Sequence, residues 1–181
     1  IEVVPAPYGE NTTITVTVPP ELKDNVTVKI DGVEYSITVD DNGIGVLNVS
    51  NITAGKHNVT VSTGDENYTA KANTTEFTVP KQSSDITVSV VGSTPGEDVV
   101  ITVSVPEDAT GFVNITVDGV TYKVPVNETA STATYVMQDA VPGKHNVTAQ
   151  YLGDDNYNAS KESDLKEFEV ERFNATIENI T

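Results

Sequence analysis

The chain is written twice. "DGVEYSITV" at 31–39 returns as "DGVTYKVPV" at 118–126, and the correspondence runs on in both directions. "ITVTVP" (14–19) returns as "ITVSVP" (101–106), "GKHNVT" stands at 55–60 and at 143–148, "GDENYT" (64–69) becomes "GDDNYN" (153–158), and "EFTV" (76–79) becomes "EFEV" (167–170). The offset grows from 87 to 91 along the way, which places small insertions in the connections between elements, where they are tolerated best. A unit repeated in this way must bury a core of its own, and a copy of about ninety residues is near the size of one β-sandwich domain.

The period inside each copy is two. Val26, Val28 and Ile30 alternate with polar residues, Asp31-Gly32 intervenes, and Val33, Tyr35, Ile37 and Val39 alternate again. The second copy repeats this with Val113, Ile115 and Val117, then Asp118-Gly119, then Val120, Tyr122, Val124 and Val126. Two alternating runs joined by Asp-Gly predict a hairpin, because a type I′ turn needs positive φ at both central residues. Further strands are expected at 12–18, 43–49, 57–63 and 74–79, and at 99–105, 131–137, 145–151 and 166–171, with a short edge strand near 2–5 or 86–91 opening each copy. No segment sustains a period of 3.6 residues. The expected fold is all-β: two tandem seven-stranded β-sandwiches, at 1–80 and 85–172, joined by a short polar linker at 81–84. The tail 173–181, "FNATIENIT", reads as the first strand of a further repeat, so the sequence is expected to be a piece of something longer.

Charge and composition narrow the functions. Lys and Arg total 10 against 27 Asp and Glu, a formal charge of -17, which repels phosphate backbones and anionic lipid surfaces. No nucleic-acid partner is expected. Without Cys there are no disulfides, thiol nucleophiles or thiolate metal sites. No apolar run approaches the roughly twenty residues that span a bilayer, so membrane insertion by this segment is not expected either.

The end of each copy, "AGKHNVTVSTGDENYTAKANTTEFTV" and "PGKHNVTAQYLGDDNYNASKESDLKEFEV", resembles the bacterial Ig-like repeat of group 3, strung in long arrays in cell-surface adhesin-like proteins, notably of methanogenic archaea. The resemblance covers essentially the whole chain; Glu66 departs from the commoner Asp. It implies an extracellular, cell-surface location and a stalk or adhesion role. It carries over no catalytic residue and no cofactor.

Asparagine is the most informative residue type. Thirteen of the fifteen open an N-x-[S/T] sequon, at 11, 25, 48, 51, 58, 67, 73, 114, 127, 146, 158, 174 and 179. Asn48, Asn58, Asn114 and Asn146 take the polar phase of their strands, and Asn67 and Asn158 fall in the connections. That placement suits a glycan and equally suits any polar residue on a half-solvated sheet. His57 and His145 stand at equivalent strand starts, one per copy, with no Cys or second His beside them for a metal site, and read as packed or capping residues. The acidic pairs Asp65-Glu66 and Asp154-Asp155 could offer oxygens to Ca²⁺, but "GDDNY" lacks the spaced ladder of a dedicated loop. Tyr68 and Tyr157 after these turns are expected to tie the loops down by a buried ring and a bonded hydroxyl. A Lys–Asn crosslink needs a buried Lys, whereas Lys56, Lys144, Lys71 and Lys161 are placed in turns and Lys29 in a polar phase.

Two functions fit. The first is a non-catalytic stalk or spacer in a surface protein, a monomer within a longer array, whose partner is a protein or glycan on another cell surface. The alternative is an accessory carbohydrate-binding or spacer module of a secreted polysaccharide-degrading enzyme. The second wants exposed aromatic platforms, yet the chain has no Trp, and Tyr35, Tyr122 and Tyr135 take the buried phase.

Overall fold

The computed structural model describes residues 1–64 and 72–175. It divides into two compact units, 1–82 and 83–181. The first holds β1 (Glu2–Val4), β2 (Thr12–Thr17), β3 (Val26–Ile30), β4 (Val33–Tyr35), β5 (Ile44–Val49), β6 (Gly55–Thr63) and β7 (Asn73–Val79). The second repeats the series with β8 (Thr87–Val91), β9 (Val99–Ser104), β10 (Phe112–Val117), β11 (Val120–Pro125), β12 (Thr132–Met137), β13 (Gly143–Tyr151) and β14 (Lys166–Val170). In each unit a three-stranded sheet faces a four-stranded one, in the orders β1-β2-β5 and β4-β3-β6-β7, then β8-β9-β12 and β11-β10-β13-β14. Every pairing is antiparallel.

Alternation puts the apolar phase of both sheets into one core per unit. In the first, Ile14 and Val16 of β2 meet Val28, Ile30, Val59 and Val61 of the opposite sheet, with Phe77 and Val79 closing the edge. In the second, Val99, Ile101 and Val103 meet Val113, Ile115, Val147, Ala149 and Tyr151. At about 1.5–3 kcal/mol for each fully buried large aliphatic or aromatic side chain, these clusters are the main stabilising term of each unit. Neither includes a residue of the other unit.

The two hairpins form as the sequence predicts. Asp31 and Gly32 have φ of 48° and 85°, Asp118 and Gly119 of 48° and 83°, and the flanking pairs Ile30↔Val33 and Val117↔Val120 close two-residue loops. Three details differ from expectation. β4 stops at Tyr35, and only an isolated bridge from Val39 to Gly45 continues that run. The β2–β3 connection winds into a six-residue 3-10 turn, Pro20–Asn25, favoured by a proline at the start of the turn and anchored by buried Leu22. β6 and β13 begin at Gly55 and Gly143, so Lys56 and Lys144 lie in strands rather than turns; Lys56 pairs with Glu76 across the sheet at 2.9 Å.

One edge of the second unit uses side chains as strand. Before β14 begins, the β13–β14 connection returns alongside β13, where Ser163 Oγ accepts the N–H of Ala149 (2.9 Å) and Ser160 Oγ that of Tyr151 (3.0 Å). The backbone N–H groups of Ser163 and Ser160 donate to the carbonyls of the same two residues. β8 and β14, in different sheets, run side by side in the same direction. Lys166 Nζ donates to Val88 O at 3.0 Å near their starts, and the N–H of Glu171 to Ser93 O at 2.8 Å past their ends.

Candidate functional site

The two most repeated motifs of the sequence, Asp-Gly and Gly-Lys-His-Asn, meet in space in each unit. Asp31 sits at the hairpin tip. Its Oδ1 accepts the N–H of Asn58 at 2.8 Å and its Oδ2 meets His57 Nδ1 at 2.6 Å. His57 Nε2 faces the carbonyl of Thr53 at 2.7 Å. The second unit reproduces the arrangement: Asp118 Oδ1 with the N–H of Asn146 (3.0 Å), Asp118 Oδ2 with His145 Nδ1 (2.7 Å), and His145 Nε2 with Val141 O (2.7 Å). The rings pack against Phe77 and Phe168, and both imidazole side chains are 10% exposed.

A carbonyl accepts but cannot donate, and the same holds for an ionised carboxylate. His145, held between the two, presents N–H on both nitrogens, so its surroundings favour the imidazolium. The Asp118 hydrogen bond, seconded by the Val141 carbonyl, raises the pKa of His145. Burial pushes the Asp118 carboxyl up, but the bonds from His145 and the Asn146 N–H outweigh it and hold the group below the ordinary range. The Asn58 N–H and then His57 do the same for Asp31. Each clamp thus ties a hairpin tip to the start of the central strand. It supplies neither a nucleophile nor an open coordination position.

The linkage gives a signed expectation. A raised His145 pKa contributes stability that is complete below the unfolded value of about 6.5 and is lost as pH rises through the folded value. A lowered Asp118 pKa contributes stability present above about 3.9 and lost as pH falls through its folded value. The melting temperature of the second unit should therefore decline from slightly acid toward alkaline pH, and His145→Ala should abolish that part of the decline. An unchanged alkaline slope in His145→Ala, measured by calorimetry, would mean that His145 does not titrate on folding.

The "GDDNY" loop of the second unit is closed on itself. Asp154 Oδ1 accepts the N–H groups of Asn156 and Tyr157, each at 2.8 Å, while Oδ2 accepts Thr110 N–H at 2.8 Å and the Thr110 hydroxyl at 3.1 Å. Burial would raise its pKa, but these donors win and hold it low. The hydroxyl of Tyr157 donates to Asp108 Oδ1, and its half-buried ring packs on the core. Asp155 is exposed. Asp65, Glu66, Asn67, Tyr68, Lys71 and Asn179 lie outside the described residues. Among the described residues no three His, Cys, Asp or Glu side chains come together as a metal site.

Asn48, Asn58, Asn146 and Asn158 are exposed and Asn114 is half-buried. Asn48 Oδ1 accepts the Thr13 hydroxyl. Tyr35, Tyr122 and Tyr135 pack partly buried against their cores, and Tyr122 and Tyr135 stack at 4.2 Å. The Tyr122 hydrogen bond raises Tyr135 to about 12. Two phenylalanines are exposed where the tyrosines are not: Phe173 in the tail and Phe112 on β10, 42% exposed, with Lys123 Nζ 4.4 Å from the Phe112 ring centre. The place of Phe112 at the polar phase of β10 signals its exposure in the sequence.

Residues 84–170 match the family model described as bacterial Ig-like domain (group 3). No curated protein matches the chain. Among solved structures, a two-domain fibronectin type-III segment from chicken tenascin is similar, with 16% identity over 93% of this chain and 96% of that one and a TM-score of 0.51. The tetra-tandem repeat from the extending region of a large adhesion protein shares 17% identity over 90% of this chain and 46% of that one, at a TM-score of 0.50. The fibronectin(III)-like modules of Clostridium thermocellum CbhA share 17% over 97% and 95%, at a TM-score of 0.40. Among the described residues, no helix is long and apolar enough to cross a membrane. The chain is built of Ig-like β-sandwich repeats, the second of which matches the group 3 bacterial Ig-like family.

Proposed function

We propose that this chain is a non-catalytic stalk segment of an extracellular, cell-surface adhesin-like protein, of the kind strung in archaeal repeat arrays, that holds an attachment region away from the cell. The observation that carries this reading is the repetition itself: two complete sandwiches in series, each with its own core and its own Asp–His clamp. Repeated self-sufficient units lengthen a stalk and multiply weak contacts without new design. The likeness to repeats of an adhesion protein's extending region supports it. So do the formal charge of -17 and the exposed sequons at Asn48, Asn58, Asn146 and Asn158.

As glycosylated stalk units, the sandwiches carry sugars at Asn58 and Asn146, on the outward side of β6 and β13, which hinder sheet-to-sheet association. Their partner is a protein or glycan on another surface. Glycopeptide mapping of protein from its native cells should find Asn58 and Asn146 occupied, and strains with fewer repeats should adhere several-fold less. Bare Asn58 and Asn146 together with adhesion indifferent to repeat number would sink the stalk, and a catalytic domain in the parent chain would favour the accessory-module alternative.

A further inference from the structure

The outward face of β10, β11 and β13 carries a polar cup. Its walls are Asn114 and Thr116, Thr121, Gln150 and, from the β13–β14 connection, Glu162, around a volume of about 220 Å³. At about 30 Å³ per liquid water, that is room for on the order of seven waters. It falls below the roughly 300 Å³ at which pockets for drug-sized ligands begin. A single sugar ring is a ligand of that size.

The wall groups are held in place with part of their hydrogen-bonding capacity unused. Gln150 Nε2 donates to Ser160 O at 3.1 Å, which leaves Oε1 as an acceptor. The Thr148 hydroxyl donates to Glu162 Oε1 at 2.9 Å, which leaves the second carboxylate oxygen. The Thr116 and Thr121 hydroxyls bond each other at 2.8 Å, so one of their two protons remains to be donated. Asn114, directly opposite Gln150 in the sheet register, adds an amide that both donates and accepts. Neighbouring sugar hydroxyls, each donor and acceptor at once, match such a set. Phe112 lies two residues along the same outward face of β10; Lys123 Nζ sits over one face of its ring, and the part of the ring that Lys123 leaves open can receive the C–H face of a sugar.

Among the described residues the first unit does not repeat this set. The positions of Phe112, Asn114, Thr116, Thr121 and Gln150 are filled there by Asn25, Thr27, Lys29, Glu34 and Ser62. The inward framework is copied and this outward face is not.

We infer that the cup binds one neutral hexose or N-acetylhexosamine ring of a glycan chain, with Phe112 against the adjacent ring. The formal charge of -17 selects against acidic polysaccharides. This goes beyond the stalk reading, since a stalk needs no ligand. Asn114 also opens a sequon with Thr116, and a sugar linked to it would occupy the same space.

The test uses the two-unit protein from a host that does not glycosylate asparagine, titrated with cellohexaose, chitohexaose and mannohexaose and read by ¹⁵N amide shifts. At least one should move the resonances of Phe112, Asn114 and Gln150, with a dissociation constant of about 1 mM or tighter. Gln150→Ala and Phe112→Ala, each confirmed folded by its spectrum, should weaken binding by about fivefold or more, while Ser62→Ala at the equivalent position of the first unit should leave it unchanged. Polygalacturonate should not bind. No shifts at about 10 mM of any neutral probe, shifts centred elsewhere, or binding indifferent to Gln150→Ala and Phe112→Ala would overturn the inference. So would full occupancy of Asn114 by a linked glycan in native material. Stalk length and adhesion are untouched by any of these results, so the two readings fail separately.

Discussion

Tyr151→Ala should lower the melting temperature of the second unit by about 15–25 °C and leave the transition of the first in place. Tyr151 is 0% exposed and the largest of the fully buried side chains. It closes β13 against the core, and its hydroxyl donates to Thr110 O at 2.9 Å. Truncating a buried aromatic costs about 3–5 kcal/mol, a large share of the 5–15 kcal/mol that holds a typical domain. Tyr151→Phe keeps the ring and removes only the bond, so it should cost about 1 kcal/mol. Calorimetry of the two-unit protein resolves these effects. An equal downward shift of both units in Tyr151→Ala would contradict the separation of the two cores.

In the first unit the corresponding expectation falls on a glycine. Gly43→Ala should cost about 3 kcal/mol or more in urea unfolding, because two separate penalties coincide. A Cβ there would stand 1.9 Å from the carbonyl oxygen of Val18, and the residue has φ of +80°. Neither side can yield easily, since the Val18 N–H is itself bonded to Gly43 O at 2.8 Å. Gly32→Ala is the control, with similar φ of +85° but open space around the new atom. It should cost only the left-handed strain, about 1–2 kcal/mol. A loss at Gly43 no larger than at Gly32 would show that the clash is relieved by backbone movement.

The sequence displayed the strands through period two and the hairpins through Asp-Gly, because both are local consequences of which residues tolerate which backbone. It was blind where the cause was non-local. Nothing near Ile37 says that β4 ends at Tyr35, since alternation continues to Val39 while the backbone pairing does not. The 3-10 turn at 20–25 is too short to show a period, and only Pro19-Pro20 hints at it. The clamp is a middle case. Asp31 read as a turn residue and His57 as a packed one, each correctly, and their meeting at 2.6 Å is visible in retrospect because both motifs recur together in the second copy. The polar cup depends on Glu162 being carried to β13 by serines standing in for a strand, which no periodicity announces.

The parallel course of β8 and β14 has a mechanical consequence. In the stalk proposed above, tension enters this unit at the start of β8 and leaves at the end of β14. Because the two strands run the same way, the load drags them in opposite directions along their own length. Each is held by five register pairs to its neighbour, β9 or β13, and those bonds lie across the pull. They are loaded together in shear instead of being peeled one at a time from an end. The sandwich is therefore aligned to bear force along the chain, and it should yield abruptly, as one unit, when a whole ladder gives way.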